Sequence, residues 1–79
     1  MYSMPAHTPA DLGVALQQAR VTQGLSQRDL AVAIGVSQRY IWELEAGKDS
    51  PALTRILAAF AHLGVTVRVD VPEPGEHHG

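Results

Sequence analysis

The stretch from Ser26 to Gly47 constrains this chain more than any other, because two short helices and the turn between them are marked there residue by residue. Ser26 suits an N-cap, with Asp29 three residues on as the reciprocal acid of a capping box, and Leu30, Ala31 and Ile34 recur at helical spacing. Gly35 closes that helix, since glycine adopts the left-handed conformation without a Cβ clash, and Ser37 is a fresh N-cap for the next one. The second helix buries Ile41 and Leu44. Helices joined by so short a turn cross steeply, so the small side chain of Ala31 is required at the crossing. The pattern predicts a helix-turn-helix.

Once the buried positions are removed, Gln38, Arg39, Trp42 and Glu43 remain together on the outward face of the second helix. Their chemistry fits the edges of bases in a DNA major groove. Glutamine can bond adenine N6 and N7, arginine can fork onto guanine O6 and N7, and glutamate can accept from cytosine N4. A polar face on an isolated amphipathic helix is usually only solvated; the preceding helix, glycine turn and capped start favour the base-reading expectation. Trp42 leaves two readings open, as a contact to a sugar-phosphate edge or thymine methyl, or as an anchor for another protein.

Gln27, Leu30, Ala31, Gly35, Val36, Ser37, Ile41, Leu44, Glu45, Gly47 and Lys48 together resemble the lambda-repressor-like, XRE-type helix-turn-helix family. The continuation through Leu63-Gly64-Val65-Thr66-Val67-Arg68-Val69 is similar to HipB-type antitoxins, and the likeness spans residues 11–71. The resemblance implies a mainly α, four- to five-helix domain with one C-terminal strand that pairs across a homodimer. It implies a repressor that binds a palindromic operator in double-stranded DNA, represses its own operon and sequesters a HipA-type kinase toxin, with no cofactor. A stand-alone regulator and a protein-interaction module on the same fold are the alternatives. The resemblance further implies an ion pair between Arg20 and Glu45, tying the first helix to the third. It also implies phosphate-backbone contacts from Gln27, Ser37 and Lys48, with Arg28 grouped beside them.

The rest of the chain supplies the frame. Residues 1–7 show no periodicity and are expected to be a flexible arm. Thr8, Pro9 and Asp11 then form a helix start, Leu12, Ala15, Leu16 and Ala19 an apolar stripe, and Gly24 a stop. Ser50 and Pro51 open a last helix whose Leu53, Ile56, Leu57, Phe60 and Leu63 are expected to be core, ending at Gly64; His62 lies off that stripe. The helix-turn-helix domain is therefore placed at 8–64.

Residues 65–71 change the period to two, with Val65, Val67, Val69 and Val71 on one face and Thr66, Arg68 and Asp70 on the other. With no second β-like run in the sequence, this strand is expected to pair with its copy in a homodimer, using Val65, Val67, Arg68, Val69 and Asp70. Residues 72–79 are expected to be a disordered tail, and His77 and His78 are given no functional role.

A net charge of −2 is low for a nucleic-acid partner, but Asp70, Glu73 and Glu76 fall in the last ten residues. Residues 1–69 carry six basic and five acidic side chains, a balance of +1. Non-specific affinity is thus modest, and two copies on DNA are expected. A 79-residue chain buries only about 60% of its unfolded surface, which also favours a partner chain. The absence of cysteine excludes disulfides and thiolate metal sites, and with no signal-like start a cytoplasmic location is expected. No nucleophile, phosphate loop or metal-spaced cluster points to an enzyme.

Overall fold

A computed structural model describes residues 1–48 and 50–73. The elements follow the order β1 (Tyr2–Pro5), α1 (Pro9–Thr22), α2 (Gln27–Ile34), α3 (Gln38–Glu45), α4 (Pro51–His62) and β2 (Arg68–Val71). The helix starts are those the side chains dictate. Thr8 Oγ1 accepts from the Asp11 backbone N–H while the Asp11 carboxylate accepts from the Thr8 N–H, and Ser26 and Asp29 repeat the arrangement at α2. Ser37 Oγ accepts from the Tyr40 N–H at 3.0 Å. Ser50 occupies the N-cap position of α4 without a side-chain cap bond, so Pro51 carries that start through its preset φ.

The core is small. Ala15 of α1, Ala31 of α2, Ile41 of α3, Leu57 of α4, Ala6 and Val71 are its buried apolar residues among those described. Ala31 is buried, as the tight α2–α3 crossing demands. A second close approach is set by Gly13. A Cβ built there would lie 2.5 Å from the Leu44 carbonyl oxygen and 2.6 Å from that of Glu45, so α1 rests directly on the C-terminal turn of α3. Gly47 presses on Ala10 from the other side and holds a left-handed φ of 68°. Its N–H donates to the Leu44 carbonyl and the Lys48 N–H to the Glu43 carbonyl, a Schellman closure of α3.

Two expectations change. The strand at the C-terminal end has a partner in its own chain, because residues 2–5 are not a loose arm but strand β1. The pair is antiparallel, with Tyr2 opposite Val71, Ser3 opposite Asp70, Met4 opposite Val69 and Pro5 opposite Arg68. Ser3 Oγ donates to the Asp70 carboxylate, and the Ala6 N–H donates to the Val67 carbonyl at 2.9 Å, just beyond the strand. Pro5 is tolerated because it lies at the end of a two-stranded ribbon, where a missing N–H breaks no central ladder. The regular strand is also shorter than 65–71, starting at Arg68. The premise of an unpaired strand therefore fails, although one edge of β2 has no strand partner among the described residues.

The second change concerns α4. Of its expected core stripe only Leu57 is buried; Phe60 is half-covered, while Leu53, Ile56 and Leu63 are exposed, Leu63 at 72%. No other described element packs extensively along this helix, so most of its apolar stripe is left uncovered. Beside it runs a groove of about 260 Å³ lined by Leu57, Phe60, Ala61, Val65 and Val67. His62 is exposed, as expected. Pro72 and Glu73 are described, and the Thr22 hydroxyl lies 3.5 Å from the Pro72 carbonyl; the tail expectation for 74–79, including His77 and His78, falls outside the described residues. No helix among the described residues is long and apolar enough to cross a membrane.

Candidate nucleic-acid interface

The orientation of α3 is set by an ion pair at its C-terminal end. Arg20 Nε donates to Glu45 Oε2 at 2.6 Å and Nη2 to Oε1 at 3.0 Å, while Nη1 donates to the Leu25 carbonyl at 2.8 Å. The two side chains are 11% and 4% exposed, so this fork is shielded from water. Gln27 Nε2 adds a further bond to Glu45 Oε1 at 3.1 Å. The Arg20 guanidinium holds the Glu45 carboxyl below its ordinary range against the opposing effect of burial, and Glu45 raises Arg20 in return. One carboxylate thereby joins α1, the start of α2 and α3.

With Ile41 buried and Glu45 tied inward, the other face of α3 is turned to solvent. Gln38 and Arg39 are exposed, Trp42 is 49% exposed and Glu43 is half-covered. Two contacts order this face. Arg39 Nε donates to Glu43 Oε1 at 3.0 Å across one helical turn, and the Lys48 ammonium stands 5.3 Å from the centre of the Trp42 ring. Trp42 also borders a shallow groove of about 140 Å³ together with Gln17, Gln27, Glu45 and Ala46.

The expected backbone-contact residues surround this face in different states. Arg28 and Lys48 are exposed, with Lys48 placed by Trp42. Ser37 is engaged as an acceptor in its cap, which leaves its hydroxyl hydrogen for an outside acceptor. Gln27 is half-buried and gives one amide hydrogen to Glu45, keeping a second. Gln17, an exposed residue of α1 outside the helix-turn-helix motif, borders the same groove. Its spacing of three from Arg20, which also faces α3, was the available signal. Tyr40 on α3, not among the expected contact residues, is 51% exposed.

Two capped helices, a glycine turn and an ordered polar face on the second helix define a helix-turn-helix protein, a class of DNA-binding transcriptional regulators. Residues 11–73 match the family described as "Helix-turn-helix domain", and the chain belongs to that family. It is similar to an uncharacterized HTH-type transcriptional regulator, y4mF, of Sinorhizobium fredii (strain NBRC 101917 / NGR234), with 39% identity over 69 residues, 87% of this chain and 88% of the relative. No solved structure matches the chain.

Proposed function

We propose that this protein is a homodimeric, sequence-specific repressor that lays α3 in the major groove of a palindromic operator. The observation that carries the reading is the division of α3 into two faces. Ile41 and the shielded Arg20–Glu45 fork fix the helix to the body, while Gln38, Arg39, Trp42 and Glu43 stand outward with groove-compatible donors and acceptors. Gln38 and Arg39 read bases, with Glu43 and Trp42 in the same face. Arg28, Lys48, the Ser37 hydroxyl and the remaining Gln27 amide hydrogen contact phosphates and set the register.

The weak basic balance of residues 1–69 supports a dimer, because a single module gains little from phosphate neutralisation. Two surfaces support it physically: the edge of β2 left unpaired among the described residues, with Val65, Val67, Arg68, Val69 and Asp70 on and just before it, and the exposed Ile56 of α4 with Leu63 just after that helix. The likeness of residues 11–71 to HipB-type antitoxins supports a finer role, autorepression of an operon whose other product is a HipA-type kinase toxin bound by this protein. The relative's name as a transcriptional regulator fits a stand-alone repressor equally well.

Selection of binding sites from randomised duplex DNA tests the central reading. An inverted repeat with half-sites about 34 Å apart, one helical turn, is the expected outcome. Enrichment of one unrepeated half-site would remove the dimer, and no enrichment would remove sequence-specific recognition. Co-purification with the product of a neighbouring kinase-like gene tests the antitoxin role.

A further inference from the structure

We infer that Glu43 is a positioning residue, which holds Arg39 by its Nε so that the terminal Nη1 and Nη2 fork reads one guanine, and that Glu43 does not itself read cytosine. This rests on α3 being the recognition helix and narrows the role of one residue within it.

The two arginines that meet α3 differ in what they have left to give. Arg20 spends Nε and Nη2 on Glu45 and Nη1 on the Leu25 carbonyl, so all three of its nitrogens are engaged inside the protein. Arg39 spends only Nε, on Glu43 Oε1 at 3.0 Å; its side chain is 84% exposed, and no other acceptor among the described residues takes its Nη groups. A guanidinium presents its donors in a fixed plane. With Nε occupied from the side, the donors that still point forward together are those on Nη1 and Nη2, and guanine offers O6 and N7 as two matching acceptors in one plane.

Electrostatics argue against the alternative role for Glu43. To accept from cytosine N4 in place of Arg39, its carboxylate would exchange a charged donor for a neutral one, in a groove flanked by phosphates. Paired with Arg39, its charge is neutralised there. The pair contributes little to folding, because it is solvent-exposed and runs with arginine on the N-terminal side, the weaker order for a helix ion pair. Its effect therefore lies in restricting a long, mobile side chain before DNA arrives.

The test uses the full chain, its selected duplex and all single-base variants of one half-site, with Arg39→Ala, Glu43→Gln, Glu43→Ala and the Arg39→Ala/Glu43→Ala double variant. Arg39→Ala should lose roughly five- to 150-fold in affinity, concentrated at one guanine, the range of a bidentate base contact. Glu43→Gln and Glu43→Ala should weaken discrimination at that same guanine, by about three- to tenfold, a fraction of that contact. Their melting temperatures should stay near that of the parent. The double variant should bind no worse than Arg39→Ala alone, since Glu43 acts only through Arg39. If the Glu43 variants changed preference at a different base pair, or if the losses added in the double variant, Glu43 would be an independent reader and the inference would be wrong. A parent protein that selects no sequence would remove the recognition-helix reading and this inference with it, whereas additive losses on a selected site would overturn only the inference.

Discussion

Replacing Glu45 by alanine removes, in one step, the acceptor of three side-chain hydrogen bonds, two from Arg20 and one from Gln27. Arg20 is left with the Leu25 carbonyl and a side chain only 11% exposed, so its charge is stranded rather than returned to water. Breaking a buried ion pair from one side costs about 3–5 kcal/mol. The surviving Nη1 bond places Glu45→Ala at the lower end, about 3 kcal/mol. The whole chain is worth on the order of 4–12 kcal/mol at the usual stability per residue, so this variant forfeits a quarter or more of it. Its melting temperature should fall by roughly 12–24 °C, read by circular dichroism alongside urea titration. Because the loss comes from a stranded charge, replacing both partners, as in Arg20→Met/Glu45→Leu, should recover most of it. A loss below about 1 kcal/mol for Glu45→Ala would give the pair the worth of a surface salt bridge and refute its role in joining α1 to α3.

Gly13→Ala should cost about 1–3 kcal/mol by driving a methyl into the Leu44 and Glu45 carbonyls, and should lower operator affinity by shifting α3; an unchanged urea midpoint would show that the helices can part freely. Stability should also fall in acid. Arg20 holds Glu45 down and the capping N–H groups of His7 and Ser26 lead in lowering Asp11 and Asp29, so each binds protons more weakly folded than unfolded; stability present near neutrality should begin to fall as pH drops towards the ordinary values of 4.5 and 3.8, and flat melts from pH 6 to 3 would contradict this. Lys48→Ala should weaken binding to all sequences and reduce the salt slope by about 1, whereas Gln38→Ala should cost roughly 1–3 kcal/mol on the selected site and almost nothing on random DNA; the reverse pattern would exchange their roles. Ile56→Glu with Leu63→Glu should leave the fold stable, since both side chains are exposed, and shift sedimentation towards monomer; an unchanged dimer would leave the edge of β2 as the remaining surface.

The local geometry of the helix-turn-helix was legible in the sequence. Thr8 with Asp11, Ser26 with Asp29, and Ser37 each cap a helix from within three residues, and Gly35 ends α2, so no distant contact is needed to see them. Periodicity then turned Ile41 inward and Gln38 and Arg39 outward, and family likeness supplied the Arg20–Glu45 pair. Tertiary structure alone decided what depends on groups brought together from far along the chain. Tyr2–Pro5 is a strand only because Val69 and Val71 come to lie beside it; four residues ending in proline carry too little local preference to announce it. Gly13 had no motif around it, since its necessity comes from two carbonyls of another helix. The apolar stripe of α4 looked like core because periodicity reports which residues share a face, and only packing decides whether anything covers that face. The same limit applied to Glu43, whose charge was legible as a groove-reading acceptor while its occupation by Arg39 depended on side-chain geometry.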